Sequence, residues 1–186
     1  MRRSYLVALF LPLALAGCVG DAVDTGPVDP YATREIAAVH LDPSAAAAAL
    51  NAYRASHGLG ATRLDPELTA MAQRQADAMV AGNKLSHEVA GSLTSRLTAS
   101  GVDTAEAGEN LGAGHYSLEE AMTGWRNSPE HNANLLMPKA TRLGIAIAKD
   151  PRTHYGVYWA MELAAPPRER GGLLMSSAGE PVLARP

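Results

Sequence analysis

The chain has 186 residues, of which 47% are hydrophobic and 19% are charged, and its formal net charge is −3. These values are typical of one globular domain with terminal extensions. No basic stripe with interleaved aromatic residues is present in the sequence, so nucleic acid is not expected as a partner. The sequence also has no glycine loop with the spacing that binds nucleotide phosphates.

The first 17 residues have the pattern of an export signal. Two arginines precede an apolar run that is too short to span a bilayer and is interrupted by Pro12. Residues 15–17, Leu-Ala-Gly, lead directly to Cys18, the single cysteine of the sequence. Small residues before one cysteine resemble the bacterial lipobox, so we expect residues 1–17 to be removed and Cys18 to carry a lipid. A secretory signal with an incidental cysteine is the alternative.

A lipid on Cys18 would attach the protein to a membrane without a spanning helix. Val19, rather than an aspartate, follows the cysteine. In a Gram-negative cell this favours the outer membrane and the periplasm. Residues 18–40 contain prolines, glycines and aspartates without a period and are predicted to form a flexible tether. Because the sequence has no second cysteine, it offers the domain no disulfide and no thiol nucleophile.

Three helices are predicted in the first half of the domain. Asp-Pro pairs at 42–43 and 65–66 each combine an N-cap with a proline at the first helical position. The first pair opens an alanine-rich helix that extends to Ser56. The second opens a helix whose apolar residues recur at helical spacing until Gly82. A short helix follows over residues 92–99.

The second half of the domain combines helices with two strands. Ser117 and Glu120 have the spacing of a capping box, and Pro129 breaks the helix that they open. Residues 143–148 and 155–163 have the alternation of strands. This order predicts a mixed α/β fold in which helices cover both sides of a central mixed or antiparallel sheet.

The predicted domain is a three-layer α-β-α sandwich over residues 41–165. Residues 166–186 are rich in Pro, Gly and Arg without a period and are predicted to be a disordered tail. Glu162, on the second strand near Trp159, could be an extra acid at the sheet surface, but it is interpreted as a routine outward-facing charge.

Three polar residues lie far apart in the sequence, each at a predicted element boundary. They are His87, Glu109 within Gly-Glu-Asn-Leu-Gly, and His131, with Glu130 as a weaker candidate. Two imidazoles and one carboxylate are a common set of ligands for zinc or another divalent cation. A buried hydrogen-bonded network that fixes the loops around a cavity is an equal alternative. Catalysis ranks behind both.

Five motifs occur in a familiar order: Leu-Asn-Ala-Tyr-Arg-Ala-Ser-His-Gly-Leu at 50–59, Ser-His at 86–87, Gly-Glu-Asn-Leu at 108–111, Trp-x-x-Ser-Pro-x-His-x-x-Asn-Leu-Leu at 125–136, and Gly144 followed by Tyr158-Trp159. Together they resemble the CAP superfamily of cysteine-rich secretory proteins, antigen 5 and pathogenesis-related proteins, also called the SCP domain. The match is to the bacterial branch and covers nearly the whole globular region.

The resemblance implies an α-β-α sandwich whose central cavity holds two histidines and two acids and binds a divalent cation, often zinc. His87, Glu109 and His131 match three of these positions. Ser128 stands where the eukaryotic members carry the second acid, and Glu130 is the nearby acid that could replace it. The disulfides of the eukaryotic members have no counterpart in this sequence.

The N-terminal signal predicts an exported, lipid-anchored protein of the cell envelope, and the resemblance implies a binding module rather than an enzyme. Its expected ligand is a small apolar molecule, a lipid or an envelope protein. The alternative is a metal-dependent hydrolase that uses His87, Glu109 and His131 on peptide or another envelope polymer. The loss of the second acid at Ser128 favours the binding module.

Overall fold

The computed structural model describes residues 30–167, 173–175 and 181–183. The export signal, Cys18 and the first part of the predicted tether lie outside these residues, so what the sequence predicts for them stays a prediction. Within the described residues, no helix combines the length and the apolar character that crossing a membrane requires.

The described residues form helices and strands that alternate along the chain. The helices are α1 Pro30–Ala38, α2 Pro43–Ser56, α3 Pro66–Ala81, α4 Leu93–Ala99, α5 Leu118–Asn127 and α6 Pro129–Leu135. The strands are β1 Arg63–Leu64, β2 Ala107–Ala113, β3 Arg142–Lys149, β4 Val157–Ala164, β5 Leu173–Met175 and β6 Pro181–Leu183.

The main sheet has four strands in the order β1-β3-β4-β2, with β1 parallel to β3 and the other pairs antiparallel. On one face, Trp159 and Met161 of β4 join a core cluster with residues of α2 and α5. On the other face, Tyr158 and Ala160 join a cluster with residues of α3. Helices therefore cover both faces of a mixed sheet, and the predicted three-layer sandwich is confirmed.

Side-chain caps set where the helices begin. Asp42 accepts hydrogen bonds from the backbone N–H groups of the first turn of α2, and Asp65 does the same for α3. Ser117 accepts from the backbone N–H of Glu120 at 3.2 Å at the start of α5. Each cap satisfies N–H groups that have no partner inside the helix. All three predicted helix starts are confirmed.

Gly144 sets how closely α3 approaches the sheet. A Cβ atom added at this position would lie 2.2 Å from the carbonyl carbon of Leu68 and 2.4 Å from the backbone nitrogen of Thr69. Only a residue without a side chain therefore allows the first turn of α3 to rest on β3. This contact fixes the helix that leads to the loop carrying His87.

Helix α1 lies where the sequence predicts a flexible tether. Ile36 and the following Val39 are buried in the same core cluster as Trp159. Lys149 donates hydrogen bonds from Nζ to the carbonyl oxygens of Ala37 at 3.1 Å and Val39 at 2.7 Å, next to the end of the helix. Only Ile36 and Val39 have large aliphatic side chains in this stretch, which gives too weak a pattern to predict a helix. The ordered region thus begins before residue 41.

The tail also differs from the sequence prediction. Strands β5 and β6 lie within residues 166–186, which are predicted to be disordered, and they pair antiparallel with Leu174 opposite Val182. Each strand has three residues. Such short runs fall below the length at which alternation indicates a strand.

Candidate functional site

The site is built around Glu109 on β2. Its side chain is only 2% exposed, and its Oε1 accepts a hydrogen bond from Nδ1 of His87 at 2.6 Å. His87 lies in the loop between α3 and α4, and 54% of its side chain is exposed. The structure thus brings together two of the three predicted residues, one buried and one facing solvent. The carboxylate fixes the orientation of the imidazole ring.

Arg96 on α4 is the third member of the site, and it is not among the residues predicted from the sequence. Its guanidinium group, 6% exposed, places Nη2 2.7 Å from Oε2 of Glu109 and Nη1 3.0 Å from Oε1 of Glu162. One signal could have found it: Arg96 lies three positions after the inward-facing Leu93, which is the spacing of neighbours on one helix face. A cation on an apolar face indicates a buried acid nearby.

Glu162 is the fourth member, and its interpretation as an outward-facing charge is wrong. The side chain is 1% exposed, because β4 is a central strand whose residues are buried on both faces. In the sheet register Glu162 stands directly opposite Glu109. Burial, then the charge of Glu109 and a hydrogen bond with it, raise the pKa of Glu162 well above its usual 4.5. Glu162 is therefore an acid that takes up a proton more readily than an ordinary glutamate.

One oxygen of each carboxyl group remains without a hydrogen-bond donor. These atoms are Oε2 of Glu109 and Oε2 of Glu162, and both are buried. Nη2 of Arg96 reaches Oε2 of Glu109 at ion-pair distance, but not along a hydrogen-bond direction, so that contact is electrostatic. A proton on Glu162, whose pKa is raised, would supply a donor between the two carboxyl groups.

His131 on α6 lies near His87 without joining the hydrogen-bonded cluster. Its carbonyl oxygen, rather than its ring, accepts a hydrogen bond from Nδ2 of Asn110 at 2.9 Å. Burial lowers the pKa of His131 below 6.5, the charge of His87 lowers it further, and the charge of Glu130 opposes both. Glu130 itself is exposed and accepts a hydrogen bond from Oγ of Ser128 at 3.3 Å.

Asn134 links α6 to the strand that carries Glu109. Its Nδ2 donates to the carbonyl oxygen of Glu109 at 3.0 Å and to Oδ1 of Asn110 at 2.9 Å. A Cβ atom at Gly108 would lie 2.6 Å from Oδ1 of Asn134. The glycine before Glu109 therefore gives Asn134 the space to reach β2. This contact explains one glycine of the Gly-Glu-Asn-Leu-Gly segment in physical terms.

The loop that carries His87 is held from two sides. Gln75 on α3 is buried and donates from Nε2 to the carbonyl oxygen of Ser86 at 2.8 Å. Arg96 donates from Nε to the carbonyl oxygen of Gly91 at 2.9 Å and from Nη2 to that of His87 at 3.4 Å. The exposed imidazole is thus carried on a fixed loop.

A divalent cation does not fit the residues as they are arranged. Among the described residues, no group of three or more His, Cys, Asp or Glu side chains stands in a geometry that could hold a metal ion. Oε1 of Glu109 is engaged by His87, and Oε2 lies against the positive charge of Arg96. The metal site stays a prediction, and no chemistry below is derived through a metal.

Three cavities lie around α3 and α4. One of about 470 Å³ is lined by Arg74 and Arg96 together with the alanines of both helices, and one of about 330 Å³ lies between α4 and the start of β2. The third, of about 540 Å³, lies at the beginning of α3 beside Pro43 and Leu64. Of the residues in the cluster around Glu109, Arg96 lines one of these three cavities.

Comparison with known proteins gives the family. A family model described as the cysteine-rich secretory protein family, CAP, matches residues 47–163, which is more than half of the chain. The chain belongs to this family. The expected membership is confirmed, and the four clustered residues His87, Arg96, Glu109 and Glu162 all lie within the CAP match.

Two Bacillus subtilis proteins are relatives of this CAP domain. YkwD is 31% identical over 97 residues, which are 51% of this chain and 38% of YkwD. The membrane protein YlbC is 33% identical over 99 residues, which are 52% of this chain and 29% of YlbC. The aligned part thus spans well under half the length of either relative.

Solved structures confirm the fold. An extracellular protein containing an SCP domain from Bacillus anthracis aligns with a TM-score of 0.58 at 27% identity, over 66% of this chain and 40% of that one. An outer surface protein from Borrelia burgdorferi aligns with a TM-score of 0.59 at 18% identity, over 67% of this chain and 96% of that one. The expected bacterial type of CAP domain is confirmed by the first of these.

Proposed function

We propose that this CAP domain is exported, is attached to a membrane of the cell envelope through a lipid on Cys18, and acts there as a non-enzymatic binding module. Two similar structures are of proteins described as extracellular or of the outer surface, which supports export. The sequence of an apolar run ending in Leu-Ala-Gly-Cys supports the lipid.

The observation that carries the binding role is the internal pairing of Glu109. Its carboxylate, the central acid of the predicted site, is buried and contacts both His87 and Arg96. A general base must be free to take a proton from a substrate or a water molecule. Glu109 is instead committed to two partners within the protein, and such a pairing is suited to holding a loop and a strand in place.

The cavity beside Leu64 is the best place for a small apolar ligand. Its volume of about 540 Å³ lies in the range of ligand pockets. Leu64 is 41% exposed at its edge, and exposed leucine beside a cavity offers apolar area that a ligand can cover. We assign a small apolar ligand or lipid to this cavity, and an envelope protein is the other outcome of the test.

One observation favours the hydrolase as a second candidate. The ring of His87 is half exposed, and its Nδ1 donates to a buried carboxylate. A histidine oriented in this way by a carboxylate is the arrangement of a general base in many hydrolases. In that role His87 would act through its other ring nitrogen, Nε2, and Glu109 would be a positioning residue.

The anchor is tested by replacing Cys18. Cells that produce the wild type and Cys18→Ser are grown with a labelled fatty acid, and membrane and soluble fractions are compared. We expect label and membrane retention in the wild type and neither in Cys18→Ser. Export of unlabelled, soluble wild-type protein would contradict the lipid anchor and would leave the ordinary secretory signal as the correct reading.

The binding role is tested with a fluorescent long-chain fatty acid as probe and with casein as a general peptide substrate. We expect saturable fatty-acid binding that Leu64→Asp weakens and His87→Ala does not change, and no casein hydrolysis. Hydrolysis by the wild type that is lost in His87→Ala would establish the enzyme instead. The wild type could instead bind no fatty acid but retain an envelope protein that Leu64→Asp does not retain. That result would show that the partner is a protein and not a small ligand.

A further inference from the structure

Two carboxyl groups face each other inside the domain. Glu109 on β2 and Glu162 on β4 are directly opposite in the antiparallel register, and their side chains are 2% and 1% exposed. Directly opposed side chains in an antiparallel sheet have their Cβ atoms about 4.5–5.5 Å apart. Two acids at that separation, taken out of water, require a cation or a shared proton to coexist.

The guanidinium group of Arg96 supplies a positive charge between them. It contacts Oε2 of Glu109 at 2.7 Å and Oε1 of Glu162 at 3.0 Å with different nitrogens. A planar guanidinium can address two carboxylates at once in a fixed geometry, which a water molecule or a lysine does less well. Arg96 thus bridges the two acids across the two strands, as a metal ion bridges carboxylates in other proteins.

We infer that Arg96 is the built-in cation of this site, that it stands where a divalent metal would bridge Glu109 and Glu162, and that the wild-type protein takes no metal there as long as Arg96 is present. A divalent cation brought between the two carboxylates would lie against the guanidinium, and the like charges repel. The protein therefore carries its own counter-ion in place of an exchangeable one.

The same side chain connects this counter-ion to the loop of His87. Its Nε donates to the carbonyl oxygen of Gly91 at 2.9 Å, and its Nη2 to that of His87 at 3.4 Å. A metal ion bound by the two carboxylates could not make these contacts, because a cation does not donate hydrogen bonds. Arg96 consequently both balances the acids and holds the loop, which makes it a positioning residue for His87.

The experiment measures zinc binding to the purified full chain, because zinc suits a set of carboxylate and imidazole ligands. Wild type, Arg96→Met and Arg96→Gln are dialysed against zinc, and bound metal and the melting temperature are measured. We expect the wild type to retain no zinc at this site and to show no rise in melting temperature. The neutral variants leave two buried carboxyl groups without their cation, so without zinc they should melt at a lower temperature than the wild type. With zinc they should retain about one equivalent of the metal and regain part of the lost melting temperature.

A control variant assigns the zinc to the right residues. His87→Ala in the Arg96→Met background should weaken zinc binding by at least about tenfold, since a ligand is then missing. Zinc bound elsewhere, on exposed histidines, would not respond to this change. Arg96→Gln serves as a second neutral variant, because its amide group keeps hydrogen-bond donors for the loop and is expected to fold more readily.

Two results would overturn the inference. The first is about one equivalent of zinc retained by the wild type and lost in His87→Ala, which would show that metal and Arg96 coexist. The second is a neutral variant that folds but retains no zinc and whose melting temperature does not rise when zinc is added. If neither neutral variant folds, the wild-type measurement still overturns the inference when it finds zinc that His87→Ala removes. The outcome is independent of the proposed binding role, which is read from fatty-acid binding at the Leu64 cavity.

Discussion

Arg54 and Arg96 are both buried, but their guanidinium groups meet different partners. Arg54 on α2 donates to four carbonyl oxygens, those of Gly60, Leu135, Met137 and Ala140. Arg96 on α4 contacts two carboxyl groups and two carbonyl oxygens. The first region therefore holds a buried positive charge with neutral partners, whereas the second holds a charge-balanced cluster.

The difference separates a structural role from a candidate functional one. The carbonyl groups around Arg54 include the end of α6, where the helix dipole favours a positive charge. They need a donor and nothing more, so Arg54 acts as a clamp between α2 and the segment after α6. The cluster around Arg96 instead ends in His87, whose ring is half exposed. Only the second region presents an ionisable group from a buried network to solvent.

The largest effect is expected when the clamp is removed. Arg54→Met retains much of the side-chain volume but leaves several buried carbonyl oxygens without their donor. Each unsatisfied buried group costs about 1–3 kcal/mol, so we expect the free energy of unfolding to fall by about 3–5 kcal/mol. Urea denaturation followed by circular dichroism measures this change.

Arg63→Met provides the matched control, because Arg63 is exposed on the short strand β1. A surface substitution of this kind should change the free energy of unfolding by less than about 0.5 kcal/mol. Equal losses in Arg54→Met and Arg63→Met would show that the buried Arg54 contributes no more to stability than an exposed arginine does.

Glu109 and Glu162, the two acids that contact Arg96, should differ in their contribution to the free energy of unfolding. Glu109→Gln removes the acid that contacts both Arg96 and His87, and we expect a loss of about 2 kcal/mol, because a hydrogen bond to a charged group contributes about 1.5–3 kcal/mol. Glu162→Gln replaces the carboxyl group whose pKa is raised by a neutral amide of the same shape, and we expect a change within about 1 kcal/mol. Urea denaturation of both variants at neutral pH gives the order. The reverse order would mean that Glu162, not Glu109, is the ionised acid.

A smaller effect tests whether the two regions are connected. Asn134 bonds to the carbonyl oxygen of Glu109, and its neighbour Leu135 bonds to Arg54. In Gly108→Ala the new methyl group would meet Oδ1 of Asn134, so we expect a loss of at least about 1 kcal/mol from overpacking. Gly60→Ala is the control, since nothing lies within 4 Å of a Cβ atom there. Equal stability of the two variants would indicate that Asn134 moves aside without cost.

The contrast between these regions also shows what the sequence can predict. The helix starts at Asp42, Asp65 and Ser117 are local, because each cap bonds to residues two or three positions further along the chain. Local chemistry of this kind can be read directly from the sequence. The sequence predicts that His87, Glu109 and His131 lie together, and in the structure Nδ1 of His87 lies 2.6 Å from Oε1 of Glu109, whereas the ring of His131 takes no part in this contact.

The missed residues depend on distant partners. Glu162 appears as an ordinary polar position of an alternating strand, and only the placement of β4 between β3 and β2 makes it buried. Arg96 is 66 residues away from the acid that it contacts on β4. A charged residue at a buried position becomes predictable only when its partner is known, because isolated charges are excluded from protein interiors. Helix α1 was missed for a similar reason, since Ile36 is buried against a distant strand.

The smallest expected effect is the pH dependence of the free energy of unfolding that comes from Glu162. Burial and the neighbouring Glu109 raise the folded-state pKa of Glu162 above 4.5, while Arg96 opposes the shift. Protonated Glu162 therefore contributes stability that is fully present below pH 4.5, and this contribution is lost as the pH rises through the raised pKa. His131 acts in the opposite direction, because its pKa is lowered below 6.5 and its contribution is lost as the pH falls.

The two contributions can be separated by subtraction. Glu162→Gln cannot lose a proton at position 162 but retains His131, so the difference in unfolding free energy between wild type and variant removes the contribution of His131 and reports on Glu162 together with the neighbouring Glu109. We expect this difference to become less favourable to the wild type as the pH rises from about 4.5, and then to level off once Glu162 is ionised in both states. Thermal or urea unfolding between about pH 4 and pH 8 measures it, a range that spans the ordinary carboxyl and imidazole pKa values. A difference that stays constant over this range would mean that Arg96 keeps both acids ionised, and the cluster would then resemble an ordinary buried ion pair rather than a pair of acids sharing a proton under one cation.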